Sequence, residues 1–397
     1  MRINLLGHLF ILLVNLGIGY YIVDACRKRF KNQAWAKGAL AMICLTIALT
    51  LAITVMSKLT LGDTAFKALM WMMMTYYSLF AAQFVFVVVD LLAKIPCLFK
   101  RRRAKWLSKT ALCLSILSLL TIWWGCIFNR FNIDVEEVEV SIKDLPKAFE
   151  GYRIAQISDI HSGTYDSDTT FISRVVDRIN QLDVDLVVFT GDIVNRHSTE
   201  INPFIPVLKR VHGRDGQFAI LGNHDYAEYY FGEDDPDAAR ADVVHLCDIY
   251  ESTAFDILLD ENRVIRRGND SIVVIGVQNI SKPPYPNRGN LKKAYPNLSD
   301  GATKILLSHD PIHWVDDIAD NPDINIALTL SGHTHAAQMK VGRISPAAII
   351  HPHAWAGLYA DSDSSRQLYV NIGLGTVGVP MRLGATPEIT ILTLTGK

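Results

Sequence analysis

The stretch Tyr152-Arg153-Ile154-Ala155-Gln156-Ile157-Ser158-Asp159-Ile160-His161 decides the fold. Residues 152–158 are mostly apolar and read as a buried strand. Asp159 and His161 then set a carboxylate and an imidazole two positions apart at the strand's carboxyl end, a spacing that turns both to one side. The same grammar recurs downstream. Residues 185–190, with Leu186, Val187, Val188 and Phe189, read as a buried strand ending at Gly191-Asp192. Residues 217–221 lead to Gly222-Asn223-His224-Asp225, 304–307 to Ser308-His309, and 324–330 to Gly332-His333-Thr334-His335. Residues 169–182 carry Phe171, Val175, Val176 and Ile179 at helical spacing, and 201–211 read as another helix. An alternating run at 134–140 suggests an opening strand, and 272–277, 367–371 and 388–394 supply further ones. Strand, reactive loop and helix in repetition predict an α/β domain whose chemistry sits on loops at strand ends.

Each reactive block has an ordinary explanation by itself. Asp159 and His161 could be a hydrogen-bonded pair, Gly-Asn-His-Asp a turn, and His309 a loop histidine. Together they supply carboxylates, imidazoles and one amide, a mixture that suits a pair of borderline divalent ions better than a single structural zinc. Asp192 follows a glycine that permits a tight turn, and a carboxylate can bridge two cations where an imidazole cannot. Asn223 offers a neutral amide oxygen, which leaves more of the cations' charge available to attract phosphate.

In order and content the five blocks resemble the calcineurin-like metallophosphoesterase superfamily, from about 153 to about 394. The resemblance implies a sandwich of two mixed β-sheets flanked by helices. It implies one ion on Asp159, His161, Asp192 and His335, and a second on Asp192, Asn223, His309 and His333, with Asp192 bridging. Manganese, iron and zinc all accept such ligands. A hydroxide between the ions would attack phosphorus in line. His224 would face the substrate and assist departure of the leaving oxygen, with Asp225 orienting its ring. The tail from Asn371 to Arg382, followed by Pro387-Glu388-Ile389, resembles the membrane-anchored bacterial branch typified by lipid-handling phosphodiesterases. Its glycines are not a dinucleotide fingerprint, since no βαβ unit follows. Arg382 is a candidate contact for substrate phosphate, or else a structural partner of Glu388. His351, within His351-Pro352-His353, is a candidate for the pocket wall.

The N-terminal third has another character. Residues 1–132 hold sixteen Lys and Arg against three Asp and Glu, a net of +13; the rest holds 23 against 37, a net of −14. We expect two regions, 1–132 and 133–397, in two environments. Four apolar stretches, 3–23, 38–56, 68–89 and 107–128, each match the roughly 20 residues that cross a bilayer as helix. An all-α, four-helix membrane anchor should therefore precede the α/β domain. The connections after the first and third stretches hold twelve Lys and Arg, from Arg27–Lys37 and Lys94–Lys109, against four (Arg2, Lys58, Lys67, Arg130) on the other side. That bias turns the catalytic domain outward from a bacterial inner membrane. The basic run Lys100–Arg103 fits a topology determinant beside anionic lipid.

Cys26, Cys44, Cys97, Cys113 and Cys126 lie in the apolar part and Cys247 alone in the other, so no disulfide framework is expected there. The acidic domain repels phosphate backbones, which argues against nucleic acid as a partner. The expected partners are membrane lipids and a phosphoester substrate: a phospholipid, a lipid-linked diphosphate or a glycolipid phosphate. No obligate protein partner is indicated. Resemblance to UDP-2,3-diacylglucosamine hydrolases adds a nucleotide-diphospho-lipid, against which the outward orientation argues. A metal-bearing receptor without turnover is the competing class, disfavoured by His224-Asp225. An accessory domain of a transporter is a third, weakened because the spans carry no evident charge pairs. Two segments, 226–241 and 282–298, read either as lids or as solvated loops.

Overall fold

The apolar runs that precede the reactive blocks become neighbouring strands. The structure is a computed structural model that describes residues 5–28, 31–232 and 235–397. The features expected at Arg2, Arg29, Glu233, Asp234 and the first residues of the first span lie outside the described residues. The chain divides into two compact units, one reaching to Phe128 and including 378–381, the other formed by 129–377 and 382–397.

In the first unit, four long helices span Leu5–Lys28, Gln33–Met56, Asp63–Leu92 and Lys105–Ile127. All four are long and apolar enough to cross a membrane. Their outer surfaces carry large apolar side chains, and between the helices small and polar residues such as Ala25, Ala36, Asn15 and Gln83 are buried beside larger ones such as Ile22, Met74 and Phe86. Asn15 Nδ2 donates to the Tyr76 hydroxyl at 3.0 Å, and Gln83 Nε2 to Thr46 Oγ1 at 2.9 Å. The third helix ends with a charge pair that the residue order does not reveal. Buried Asp90 meets the Arg103 guanidinium and accepts from the Tyr21 hydroxyl at 2.6 Å. Arg103 also bonds Ser108, so this pair ties the start of the fourth helix to the end of the third.

The second unit is a sandwich. One sheet has the order β1 (Asp134–Ile142), β12 (Glu388–Gly396), β2 (Arg153–Ile157), β3 (Leu186–Phe189), β4 (Gln217–Ala219), β5 (Asp256–Ile257). The other runs β10 (Gly357–Ala360), β11 (Gln367–Val370), β9 (Leu328–Ser331), β8 (Thr303–Leu307), β7 (Asp270–Gly276), β6 (Glu261–Arg267). Both sheets are mixed. β2, β3, β4 and β5 pair in parallel while β12 meets β2 antiparallel, and β7, β8, β9 and β11 pair in parallel between antiparallel edges.

Strands buried on both faces explain the continuous apolar runs. Leu186 and Val188 point into the sandwich with Ile305, Leu307, Leu328 and Leu330. Val187 and Phe189 point the other way, against Phe171, Val175, Val176 and Ile179 of the helix Thr170–Gln181. Each such side chain contributes about 1.5–3 kcal/mol by leaving water. Two expected elements differ. Residues 201–211 fold as a 3-10 turn, Ser198–Phe204, and a short helix, Ile205–Leu208, because Pro203 and Pro206 remove amide donors that a longer α-helix needs. The strand expected at 324–330 starts only at Leu328, after turns at 319–320 and 322–323. Among the described residues no disulfide joins any of the six cysteines.

Candidate metal centre

Parallel strands end on the same side, so β2, β3 and β4 deliver their loops beside those of β8 and β9. The segments carrying Asp159, His161, Asp192, Asn223, His309, His333 and His335 converge there, and all seven side chains are buried. Asp159 and His161 lie beyond the end of β2, not in its pleat, so strand alternation is not what joins them. Asp159, His161, Asp192, His333 and His335 all have φ between +47 and +71. Left-handed backbone costs L-residues roughly 1–2 kcal/mol each and clusters where function demands it.

Two groups of donor atoms form. In the first, His161 Nε2 and His335 Nε2 are 3.0 Å apart, and Asp159 Oδ1 is 3.2 Å from the latter. In the second, Asn223 Oδ1 is 2.8 Å from His333 Nδ1 and 3.2 Å from His309 Nε2. Asp192 Oδ2 touches both groups, 3.7 Å from His161 Nε2 and 3.2 Å from His309 Nε2. His333 and His335, two residues apart, therefore face different groups.

Close backbone approach makes this density possible. A Cβ on Gly222 would sit 2.3 Å from Asp192 Oδ1, and one on Gly332 would sit 2.3 Å from Asp159 Oδ2. Only glycine fits either position.

The surroundings set the electrostatics. Burial opposes ionisation of Asp192, yet the His309 and His224 rings hold it well below the usual carboxylate range. Burial also pulls His309 down, but the charges of Asp192 and Asp159 more than offset this and push it up to about 10. Burial and neighbouring imidazoles hold His161 well below its ordinary value, and burial brings His333 to about 4. The paired carboxylates thus favour positive charge on His309, while burial disfavours it on His161 and His333.

That donor set fits divalent cations. Carboxylate oxygens, imidazole nitrogens and an amide oxygen converge in two adjoining groups. His309 Nδ1 donates to the Thr190 carbonyl at 2.7 Å, which leaves Nε2 turned to the cluster.

His224 sits at the rim, half-buried. Its Nδ1 donates to the Asn195 carbonyl at 2.7 Å, its backbone N–H to Asp192 Oδ1 at 2.8 Å, and its ring stacks on Tyr229 at 4.2 Å. Asp225 does not orient that ring, contrary to the expectation from sequence. Its carboxylate accepts N–H bonds from Asp192, Ile193, Val194 and Gly222 at 2.8–3.2 Å and so clamps two loops together. Burial and the Asp192 charge push its pKa up to about 7 against those bonds. Arg382 also departs from expectation. It is fully buried, its donors occupied by the carbonyls of Ile372, Gly375 and Ala385 and by His335 Nδ1 at 3.1 Å. It is therefore neither open to substrate phosphate nor hydrogen-bonded to Glu388.

His351 does reach the site, its ring 5.5 Å from that of His333 and set edge to face. It lines a cavity of about 220 Å³ with Tyr285, Asp310, Ile312 and Ile350. Sequence reasoning missed Asp310, which lies 3.6 Å from His333 Nε2, and Asn195, whose part is played by a backbone carbonyl. The two suspected lids each supply an aromatic, Tyr229 to His224 and Tyr285 to His333. Within the first, Glu228–Phe231 is one helical turn and residues 236–241 open the helix Pro236–Tyr250, whose later residues Leu246, Ile249 and Tyr250 lie in the core.

Such a fold, with acid, imidazole and amide groups gathered where parallel strands end, defines a class of metal-centred phosphoester hydrolases. Residues 152–337 match the calcineurin-like phosphoesterase family, and 1–130 match a family described as a probable calcineurin-like phosphoesterase transmembrane domain. An uncharacterized metallophosphoesterase of Bacillus subtilis, YkuE, is 31% identical over 267 residues, 66% of this chain and 85% of that protein. A Danio rerio transmembrane protein with a metallophosphoesterase domain is 30% identical over 292 residues, 72% of this chain and 62% of that protein. The UDP-2,3-diacylglucosamine pyrophosphatase LpxG of Chlamydia trachomatis is 28% identical over 298 residues, 63% of this chain and 86% of that protein. The matched region spans less than two thirds of the Danio rerio protein. The chain belongs to the calcineurin-like phosphoesterase family, and its four apolar helices and matched transmembrane domain make it a membrane protein.

Proposed function

We propose that the second unit hydrolyses a phosphoester bond of a membrane-associated substrate, using two divalent cations. The observation that carries this reading is the convergence on Asp192, whose Oδ2 approaches an imidazole of each donor group. One cation would take Asp159, His161, Asp192 and His335; the other would take Asp192, Asn223, His309 and His333. Bound there, such a pair supplies Lewis-acid charge for the phosphoryl oxygens and lowers the pKa of the attacking water.

The chain's own groups do the rest. Asn195 holds His224 Nδ1–H, which leaves Nε2 to pass a proton to the leaving oxygen, work typically contributing about 10²–10⁴ in rate. Tyr229 fixes the ring plane by stacking. Asp225 keeps the 192–194 and 222–225 loops in register, so His224 and Asp192 move together.

Tethering to a bilayer favours a lipid phosphoester or lipid-linked diphosphate as substrate, facing outward by the Lys and Arg bias. The likeness to LpxG favours a second reading, a cytoplasm-facing pyrophosphohydrolase of a nucleotide-diphospho-lipid. A topology reporter at the C-terminus separates the two by the side on which it is active. The test of the reaction class is hydrolysis of a chromogenic phosphodiester by the detergent-solubilised chain with added Mn²⁺. Turnover that Asp192→Ala abolishes is expected; no turnover, or equal turnover in the variant, would sink the proposal.

A further inference from the structure

Among the described residues, nine large apolar side chains are exposed on the second unit, and five of them fall within twelve positions: Met339, Val341, Ile344, Ile349 and Ile350. Ile349 is 86% exposed and Ile344 78%. Scattered apolar exposure needs no explanation, but a contiguous cluster does.

The segment is built and not frayed. Val341 and Ile344 exchange both backbone hydrogen bonds, at 2.9 and 3.0 Å. Lys340 N–H donates to the Leu383 carbonyl at 2.8 Å, and Ser345 Oγ to the Ala336 carbonyl at 2.7 Å. Ala347 N–H is taken by Ser345 Oγ, and those of Ala348, Ile349 and Ile350 by the carbonyls of Ser345 and Pro346. These amides are thus satisfied by the protein while apolar side chains point out. That arrangement suits a medium that offers no hydrogen bonds.

We propose that residues 339–350 are a bilayer-docking element that dips into the lipid surface. Three observations select lipid as the occupant. The chain carries four helices able to span a membrane, and only residues 128–133 separate the last of them from β1. Six residues reach about 20 Å when extended, so the unit stays at the bilayer surface. Lys340 and Arg343 sit within the apolar cluster, where they would meet anionic headgroups while its side chains enter the acyl layer. The segment also runs directly into His351 on the cavity wall beside His333, so docking would set the mouth of the metal centre at headgroup level. This surface requires no catalysis and stands apart from the hydrolase reading.

The test uses the full chain in nanodiscs of phosphatidylethanolamine and phosphatidylglycerol. A photoreactive benzophenone amino acid replaces Ile349 or, as a control, the exposed Val264 of β6. Lipid adducts at 349 should exceed those at 264 by about tenfold, the ratio that partial burial of one or two such side chains supports. Equal adducts at both positions, or crosslinks from 349 to a second copy or another protein, would overturn the proposal. Adding Val341→Asp with Ile344→Asp should lower the adduct at 349 while turnover of the water-soluble diester stays within about twofold, as surface changes do. An undiminished adduct would overturn it, and so would parallel loss of soluble turnover, which would assign the segment to the scaffold. Adduct yield needs no activity, so failure of the phosphoesterase reading would leave this result intact.

Discussion

Both units bury polar groups, but they do opposite things with them. Between the helices, polar side chains meet as donor and acceptor: Asn15 with Tyr76, Gln83 with Thr46, Asp90 with Arg103 and Tyr21. At the candidate metal centre of the sandwich unit like meets like, with two imidazole nitrogens 3.0 Å apart beside two carboxylates. The helical set holds the chain together. The other set gathers donor atoms of the kinds that hold divalent cations. The outer surfaces invert as well. The fourth helix buries Ser108, Ala111, Gly125 and Cys126 and exposes Leu117, Leu120 and Trp124, whereas the sandwich buries Leu186, Leu307, Leu328 and Leu330. Large apolar side chains turn outward in number where the surrounding medium is hydrocarbon, and small or polar ones then join the helix contacts.

This contrast can be broken by experiment. The largest effect is expected at His224, the half-buried imidazole whose Nδ1 is held by the Asn195 carbonyl. His224→Asn should lower turnover of the chromogenic diester by about 10²–10⁴-fold with bound Mn²⁺ per chain unchanged. Loss of metal in step with activity would move His224 into the ligand set. Next, Leu330→Ala should destabilise the sandwich by about 2–5 kcal/mol, read as a lower denaturation midpoint. Leu120→Asp, at a position 62% exposed, should cost about 2.5–3.5 kcal/mol in membrane insertion and reduce the integrated fraction. Val264→Asp, also exposed but on the sandwich, should change stability by no more than about 0.5 kcal/mol. If the two aspartates behaved alike, the inversion of solvents would be wrong.

The smallest effect concerns pH. Burial alone would raise Asp185, but bonds from Arg153 N–H, Arg267 and Arg214 leave its pKa below the ordinary 3.8. Its contribution to stability is therefore complete above about 3.8 and is lost as pH falls through the lower folded value. Asp185→Asn should flatten that acid limb of a denaturation series while leaving insertion of the helices unchanged.

Much of this is legible in the residue order because strand ends in a parallel sheet carry function, and chemically unusual residues at successive strand ends can be read in turn. Residue order does not distinguish a guanidinium facing a ligand from one whose donors are spent on carbonyls, so Arg382 is misplaced by it. Nor does it show that Asp225 binds four backbone amides in place of a ring, since a carboxylate next to a histidine reads the same either way. Asp90 and Arg103, thirteen residues apart, are hidden for a similar reason: their pairing depends on how two helices meet, which residue order does not encode. The short strands β5 and β10 escape because two to four residues carry too little periodicity to separate from a loop.

Gly222 and Gly332 show how little is needed to silence the centre. One methyl group at either position would occupy space now held by a carboxylate oxygen, displacing a donor without altering any donor's identity. A relative could therefore keep all seven donor residues and still be inert. Bare backbone beside the acids is as much a signature of a working centre as the acids themselves.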